Sequence, residues 1–321
     1  MNILVTGAAG FLGSALTNRL IELGHSVRGL DDLSAGDPQR LSPQVLLTRG
    51  DVNDRPKLWS LLQGVECVFH LAARVSVPES VLFPRDYNTV NVGGTVTLME
   101  AVRDVGVRRV VFASSGAVYG EQGTQPLHEG LPPQPGSPYA VSKLAAEYYV
   151  RTIGQLVGVD TLTLRIFNAY GPGQPLPAVH APVIPRFLQQ ALNGGSLVIA
   201  GDGRQTRDYV YIEDVVDALI AAMTAQPPAD HVVNVGSGRS TSVRDLTAAV
   251  SAAVGARIEP LYRSSEARGV STMQADLNLA RDVLGFEPRI DLAEGLRLIL
   301  EQDPRFGRIK PQTADRRPQI S

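Results

Sequence analysis

Short, mainly apolar segments alternate with amphipathic segments through the first half of the chain. The apolar segments are residues 3–5, 27–30, 45–47, 68–71, 110–112 and 161–166. None shows the polar alternation of a half-exposed strand, so each is predicted to be a strand buried on both faces. Helical patterns at 11–23 and 89–105 end at Gly24 and Gly106. The alternation predicts an α/β fold, with a doubly wound parallel sheet covered by helices on both faces.

The chain changes character after about residue 168. Closely spaced prolines and glycine-rich turns follow, which predict a smaller, less regular C-terminal domain over residues 169–309. The first domain is predicted to span residues 1–168 and to be rejoined by parts of 207–238, where a helical pattern and a strand-like segment occur. Residues 310–321, rich in Pro, Gln and Arg, are predicted to be a disordered tail.

Composition excludes several classes of function. The 321 residues carry a net charge of −2, which disfavours binding to nucleic acid or to an anionic membrane through charge. No apolar run approaches the ~18 residues of a membrane helix. Cys67 is the single cysteine and the five histidines show no paired spacing, so neither a disulfide nor a metal site is expected. No secretory leader precedes the first strand, so a cytoplasmic location is expected.

A glycine-rich turn lies between the first predicted strand and the first predicted helix. Its glycines are Gly7, Gly10 and Gly13. Such a turn presents helix N-terminal amides to the pyrophosphate of a dinucleotide. Asp31 ends the second strand about 20 residues beyond the glycines, where a carboxylate binds the adenosine ribose and repels a 2′-phosphate. This favours NAD over NADP, although Asp31 and Asp32 could instead begin a polar loop.

Tyr139 and Lys143 lie on one face of a helix predicted to begin at residues 137–138, a Ser-Pro pair. An ammonium beside a phenol favours the phenolate and lowers a pKa that is ordinarily ~10. Tyr139 is therefore a candidate general base. Lys57 and Lys310 are the only other lysines, and arginine could not tune the same proton chemistry. The alternative is a surface tyrosine beside a solvated lysine.

Two serines follow the predicted strand at 110–112. The carboxyl ends of parallel strands line the ligand crevice of such a sheet, so Ser114 and Ser115 would carry hydroxyls into it. The alternative is that both hydroxyls satisfy backbone groups of a turn.

These segments belong to a longer series of ordered motifs. In chain order they are TGAAGFLG (6–13), Asp31, GDVND (50–54), HLAA (70–73), FASSGAVYG (112–120), YAVSK (139–143), LRIFNAYGP (164–172), GDGRQTRDYVYIEDV (201–215) and NVGSG (234–238). Together they resemble the extended short-chain dehydrogenase/reductase family, and within it the NAD-dependent nucleotide-sugar 4-epimerases. The resemblance runs from residue 1 to about 290. It implies a Rossmann-type sheet with a smaller C-terminal substrate-binding domain.

The resemblance also implies the site residues. NAD would be bound by Gly7, Gly10, Phe11, Leu12, Gly13, Asp31, Asp32, Asp51, Val52, Leu71, Ala72, Ala73, Asn91, Tyr139 and Lys143. Catalysis would rest on Ser115, Tyr139 and Lys143. The nucleotide sugar would be bound by Ser115, Asn168, Val198, Ala200, Arg207 and Arg268.

The implied reaction is inversion at C4 of a UDP-sugar of the glucose/galactose type through a transient 4-keto intermediate. UDP-glucuronate, UDP-N-acetylhexosamines and a net dehydrogenase or reductase reaction stay open as alternatives, and UDP is preferred over dTDP only by frequency in the family. Dehydratases and decarboxylases of the family carry an acid before Val-Tyr-Gly, where this chain has Gly116 and Ala117. That departure disfavours both reactions.

Two further expectations follow from the resemblance. A gapless alignment puts Glu266 where an arginine would bind the phosphates, so Arg268 would serve only after a small shift. A homodimer is expected to form through the helix at 89–105 and the helix that carries Tyr139.

Overall fold

A seven-stranded parallel sheet lies at the centre of the described structure. The computed structural model describes residues 1–226, 231–263 and 270–307. In chain order the strands are β1 (Asn2–Thr6), β2 (Ser26–Asp31), β3 (Leu46–Arg49), β4 (Cys67–His70), β5 (Arg109–Ser115), β6 (Asp160–Ile166), β7 (Asn168–Tyr170), β8 (Leu197–Ala200), β9 (Thr206–Arg207), β10 (Tyr209–Tyr211), β11 (His231–Val235), β12 (Thr241–Ser242) and β13 (Pro260–Arg263). The order across the central sheet is β11-β6-β5-β4-β1-β2-β3.

Helices connect these strands. They are α1 (Phe11–Glu22), α2 (Arg55–Leu62), α3 (Val77–Leu82), α4 (Pro84–Tyr87), α5 (Gly94–Val105), α6 (Pro138–Val157), α7 (Val183–Leu192), α8 (Ile212–Thr224), α9 (Val243–Val254), α10 (Asn278–Leu284) and α11 (Leu292–Gln302). Short 3₁₀ turns span Pro38–Arg40 and Gly116–Tyr119, and a π-helix spans Asn88–Gly93. No helix of the described ranges is long and apolar enough to cross a membrane.

The two faces of the sheet bury separate cores. Helices α2, α5 and α6 cover one face, while α1, α8 and α10 lie on the other. Along β1, Ile3 and Val5 face the α1 side and Leu4 faces the α5 side, all three fully buried. Successive residues of a strand point to opposite faces, so a strand covered on both sides is apolar throughout. The predicted doubly wound α/β fold is confirmed.

The C-terminal half contributes to both the central sheet and a separate cluster. β11 pairs with β6, and α8 packs against α1. The two-stranded pairs β7–β10, β8–β13 and β9–β12 lie apart from the central sheet. A third core, which includes Phe187, Leu246 and Leu296, forms between α7, α9 and α11.

The order of the central sheet reverses between β1 and β4. In open parallel sheets the crevice at such a reversal, outside the carboxyl ends of the strands, is where nucleotides bind. The predicted tail at 310–321 lies outside the described residues.

One predicted element differs in form. The sequence predicts a single α-helix over 89–105, whereas the segment Asn88–Gly93 is a π-helix and α5 begins only at Gly94. A π turn has one more residue than an α turn, and apolar periodicity does not reveal such a local insertion. The irregular turn contains Asn91, which is a predicted site residue.

Candidate active site

The glycine-rich turn between β1 and α1 leaves almost no room for side chains. Gly7 has φ +70°, and a Cβ there would lie 2.8 Å from the backbone nitrogen of Ala72. A Cβ on Gly13 would lie 1.9 Å from the carbonyl oxygen of Gly7. Gly10 caps α1 without a side-chain hydrogen bond, so the first amides of the helix stay open to a ligand. This cradle fits a pyrophosphate, and the predicted residues 71–73 border it.

Asp31 and Asp32 have different environments. Asp31 is buried, and its Oδ2 accepts a hydrogen bond from the Ala9 amide at 2.9 Å while its Oδ1 accepts from the Leu33 amide at 2.8 Å. Asp32 is exposed, and its Oδ1 accepts from the amide and hydroxyl of Ser34. Asp31 therefore fixes the glycine-rich turn, whereas Asp32 closes a loop.

The residues that follow β3 lie at the same edge of the sheet. Asp51 is exposed, and its Oδ1 accepts from both the backbone and side-chain amides of Asn53. Val52 is buried against Gly94, where a Cβ would lie 2.3 Å from the Val52 Cγ1. The side chain of Val52 thus packs in the core, which leaves its backbone as the group available to a ligand.

Asn91 joins the segment after β4 to helix α6. Its Oδ1 accepts from the Arg74 amide at 2.8 Å, and its Nδ2 donates to the Arg74 carbonyl at 3.0 Å and to the Ser142 hydroxyl at 2.9 Å. All three bonds go to protein groups, so Asn91 holds the segment that follows the predicted residues Leu71 and Ala73 against the helix that carries Lys143.

Sequence reasoning missed His70, which is fully buried at the end of β4. Its Nδ1 lies 2.7 Å from the Thr6 Oγ1, and its Nε2 lies 2.9 Å from the Thr95 Oγ1. The Thr95 hydroxyl donates to the Asn91 carbonyl at 2.6 Å, so it must accept from His70 Nε2, and Thr6 must donate to Nδ1. Burial lowers the pKa of His70 to about 3, which matches this neutral arrangement.

Tyr139 stands in the first turn of α6. The Ser137 side chain caps this helix by accepting from the Ala140 amide at 3.2 Å, and Pro138 occupies the first helical position, as predicted. The phenol is buried, and its ring meets the Tyr87 ring edge-on with centroids 6.4 Å apart.

Burial and hydrogen bonding act in opposite directions on the Tyr139 phenol. Burial raises the pKa of Tyr139, and a hydrogen bond with the Ser115 side chain lowers it. The sequence predicted that Lys143 would lower this pKa. The Lys143 Nζ lies over the ring of Phe112, 4.5 Å from its centroid, and its effect on the Tyr139 pKa stays a prediction.

The Lys143 side chain is buried, and its ammonium group is open to a ligand. Burial lowers the pKa of Lys143 to about 8, and the negative charge of Glu147 acts to raise it. Within the described ranges no group accepts a hydrogen bond from Nζ, so its donors are free for the hydroxyls of a ribose. With the glycine cradle and Asp31, this arrangement fits a bound NAD.

The predicted nucleotide-binding residues lie on the small sheets. The amide of Asn168 donates to the Asp208 carbonyl at 3.0 Å, which holds the exposed Asn168 side chain next to the segment that carries Arg207. Arg207 is half-buried and donates from Nη1 to the Thr206 carbonyl at 2.7 Å, and burial lowers its pKa.

Val198 and Ala200 alternate along β8 with Leu197 and Ile199, which are buried. They therefore share the face of β8 that turns away from the core. Arg268, the predicted second phosphate-binding residue, lies outside the described residues.

Buried charges also escaped the sequence analysis, among them Asp208, Glu147 and Arg165. Asp208 accepts from the amides of Ser237, Gly238 and Ala275 and so anchors the loop after β11. Glu147 and Arg165 form an ion pair with N and O atoms 2.8 Å apart. One signal existed in the sequence, because Arg165 is a charge inside an otherwise apolar predicted strand. Across the described part of the chain no group of His, Cys, Asp or Glu is arranged to hold a metal ion.

A doubly wound sheet, a glycine-lined phosphate cradle and a Ser-Tyr-Lys group at the end of the sheet together define a Rossmann-type, dinucleotide-dependent enzyme. Residues 3–236 match the model of the NAD dependent epimerase/dehydratase family. The chain therefore belongs to the NAD-dependent epimerase/dehydratase family. The predicted family and the predicted NAD dependence are confirmed.

Relatives align over nearly their whole length. The chain is 42% identical to a UDP-glucose 4-epimerase of Mycolicibacterium smegmatis, with 94% of this chain and 98% of that protein covered. A crystal structure of UDP-glucose 4-epimerase with UDP-glucose from Thermotoga maritima superposes with a TM-score of 0.90 at 37% identity, covering 94% and 98% of the two chains. The structure of the UDP-glucose 4-epimerase complex with NAD from Thermus thermophilus superposes with a TM-score of 0.85 at 34% sequence identity. The covered shares of the two chains are again 94% and 98%. The predicted class of enzyme, an NAD-dependent epimerase, is confirmed.

Proposed function

We propose that the chain is a nucleotide-sugar 4-epimerase that interconverts the C4 epimers of a UDP-sugar of the glucose/galactose type. The observation that carries the proposal is the group formed by Ser115 with the buried Tyr139 and Lys143 at the carboxyl edge of the sheet, beside a cradle that fits NAD. Relatives named for this reaction support the choice of substrate.

Hydride acceptance and its return are the chemistry that NAD supplies when bound. The side chains handle the proton: the Tyr139 Oη takes it from the sugar 4-hydroxyl and later returns it. The Ser115 hydroxyl, which bonds the same phenol, would hold the reacting oxygen. The Lys143 Nζ would hold the ribose beside the nicotinamide. After oxidation the 4-keto sugar must rotate within the site, so that the hydride returns to the opposite face of C4.

This rotation of the sugar requires that the site bind the nucleotide tightly and the sugar weakly. Asn168 and Arg207 would bind the pyrophosphate as a neutral donor and a cation, with Arg268 as a proposed third ligand. Val198 and Ala200, on the outward face of β8, would flank the nucleotide base. Binding energy is thus concentrated away from the carbon that reacts.

The space around Gly116 disfavours a dehydratase. A Cβ at Gly116 would lie 3.1 Å from the ring of Phe167, so the buried ring would have to shift by a few tenths of an ångström to admit a side chain there. Neither Gly116 nor Ala117 supplies the acid, and a side chain at Gly116 would press on Phe167.

We also propose that the chain divides as the sequence predicted, with an NAD-binding unit over 1–168 and a substrate unit over most of 169–309. A homodimer through α5 and α6 is part of the same proposal. On α6 the exposed apolar residues Val141, Tyr148 and Leu156 follow one stripe. A cytoplasmic location stays a prediction.

The test is proton NMR of the purified protein with UDP-glucose and UDP-galactose, with N-acetylated and uronic acid pairs as parallel samples and no added NAD. We expect the anomeric signals of the glucose/galactose pair to interconvert, because the cofactor must stay bound through the cycle. If only another pair interconverts, the reaction stands and the proposed identity of the sugar is wrong. Retained NAD without turnover of any pair would overturn the proposed reaction and leave the family assignment intact.

A further inference from the structure

The helix that carries Tyr139 and Lys143 also carries a buried acid, Glu147, one turn further along. Glu147 is 2% exposed. Its Oε1 accepts from the Ser114 hydroxyl and from Arg165 Nε at 3.1 Å, and its Oε2 accepts from Arg165 Nη2 at 2.8 Å. Residues four apart share a face of a helix, so Glu147 lies on the side of α6 that presents Lys143. The proposed proton transfer does not use this acid.

The sheet supplies both partners of Glu147. Ser114 on β5 and Arg165 on β6 are register partners, so their side chains stand side by side on the face that α6 covers. The Arg165 Cζ lies 4.7 Å from the centre of the Tyr119 ring. Burial opposes the charge of Arg165, but the hydrogen bonds that Arg165 donates to Glu147 outweigh this effect and raise the pKa of Arg165. Glu147 is thereby held in a buried, two-pronged ion pair with Arg165.

The charges around Lys143 show why this carboxylate matters. The titratable groups that face Lys143 or the adjoining phenol are Glu147 and Tyr139 on α6, His70 on β4, Arg165 on β6 and Tyr87 on α4. His70 and the two phenols are neutral, and Arg165 repels an ammonium. Among the described residues Glu147 is therefore the one anion set against the buried charge of Lys143.

We propose that Glu147 is a positioning residue: it keeps Lys143 protonated in its buried site and, through Ser114, fixes the strand end that presents Ser115. A protonated Lys143 supplies the donors that a ribose requires and a positive charge that favours the Tyr139 phenolate. The consequence for catalysis rests on the proposed function, whereas the coupling between Glu147 and Lys143 does not.

The scarcity of lysine makes this coupling directly measurable. Lys57, Lys143 and Lys310 are the only lysines, so protein labelled with ¹³C-lysine gives three Cε signals. The signal of Lys143 is the one that a Lys143→Met variant lacks. Titration of the protein as isolated, with its NAD, is expected to place the Lys143 midpoint below the ordinary lysine value of 10.5, because the group is buried. In Glu147→Gln we expect that midpoint to fall by about one pH unit or more.

Matched variants separate charge from packing. Arg165→Met disrupts the same contact but removes a positive charge, so the Lys143 midpoint is expected to rise or to stay. Ser114→Ala removes a neutral donor from the same carboxylate, so the midpoint is expected to stay close to that of the parent protein. Glu147→Asp keeps the acid and is expected to restore most of the shift. If Glu147→Gln fails to fold because Arg165 loses its partner, the paired variant E147M/R165M is titrated, with a smaller fall expected.

The outcomes are distinct. An unchanged midpoint in Glu147→Gln, or an equal fall in Glu147→Gln and Arg165→Met, overturns the proposal. A fall confined to variants that lose the acid supports it. In the supporting case, the alkaline limb of turnover should move to lower pH by the same amount. If the NMR midpoint moves and turnover does not follow, the proposed catalytic role of Lys143 fails while the coupling stands.

Discussion

At the scale of single residues, the Tyr139 phenol depends on its neighbours. Burial disfavours the phenolate, and the Ser115 hydroxyl is the neighbour that favours it. The alternative to a catalytic pair was a surface tyrosine beside a solvated lysine. It is wrong, because Tyr139 and Lys143 are only 9% and 3% exposed. Removal of the phenol oxygen should therefore abolish proton transfer and leave the helix intact.

Tyr139→Phe is expected to lower turnover by roughly 10²–10⁴-fold, the usual contribution of a positioned acid-base group. Bound NAD and the unfolding temperature should change little, because the ring still fills its site. Steady-state assays of epimer interconversion and thermal unfolding measure both. Tyr149→Phe is the matched control, since Tyr149 is exposed on the same helix. A Tyr139→Phe variant with more than a tenth of parental turnover would remove Tyr139 from the mechanism.

Gly13→Ala tests the phosphate cradle. The new Cβ would lie 1.9 Å from the Gly7 carbonyl oxygen, so the turn must open. We expect loss of the co-purified NAD and a drop of about 1–3 kcal/mol in the free energy of unfolding. Gly24→Ala is the control, because Gly24 has φ +80° and no atom within 4 Å of its Cβ position. The Gly24→Ala variant should retain NAD. If Gly13→Ala retained as much NAD, the glycine-rich turn would not be the phosphate-binding site.

At the scale of elements, His70 links three parts of the site. Through Thr6 it holds the end of β1, and through Thr95 it holds the carbonyl of Asn91 in the π-helix. The chain of hydrogen bonds is complete only when the His70 imidazole is neutral. If Nδ1 were protonated, it and the Thr6 hydroxyl would be two donors facing each other. The link therefore makes stability depend on pH.

The sign of that dependence follows from linkage. The pKa of His70 is 6.5 in the unfolded chain and about 3 in the fold, so the unfolded state binds more protons between these values. Stability from this group is complete above pH 6.5 and is lost as pH falls toward 3, at up to about 1.4 kcal/mol per pH unit.

His70→Gln should therefore be destabilised at pH 7.5, with a deficit that shrinks as the pH falls to 4.5. Urea unfolding at several pH values measures it. His128→Gln, at an exposed position, controls for the loss of one histidine. A deficit that stays constant over this range would show that His70 is not held neutral in the fold.

At the scale of the whole molecule, sequence reasoning predicted what depends on local pattern. Apolar runs marked the central strands because both faces of the sheet are covered, and Ser137 with Pro138 marked the start of α6. It could not separate Asp31 from Asp32, because only burial distinguishes them. Nor could it find the pairing of Glu147 with Arg165, which depends on the register between β5 and β6. The contacts that tune the site join elements distant in sequence.

The proposed homodimer is also a property of the whole molecule. α6 has 20 residues and a length of about 30 Å, and α5 packs beside it. Its outer stripe exposes Val141, Tyr148 and Leu156 to 52%, 54% and 79%. We propose that this exposed apolar stripe is the dimer interface, which a second copy of the same face would cover with two-fold symmetry.

Light scattering at micromolar concentration should give twice the 34.4 kDa of one chain. In a variant with both Val141→Glu and Tyr148→Glu, the mass should fall to that of one chain, because four buried carboxylates would face each other across the two-fold axis. Leu192→Glu is the control, since Leu192 is an exposed apolar residue on α7, and it should stay dimeric. Bound NAD in the double variant would show that each chain folds on its own. A parent protein that scatters as a single chain would rule out this interface.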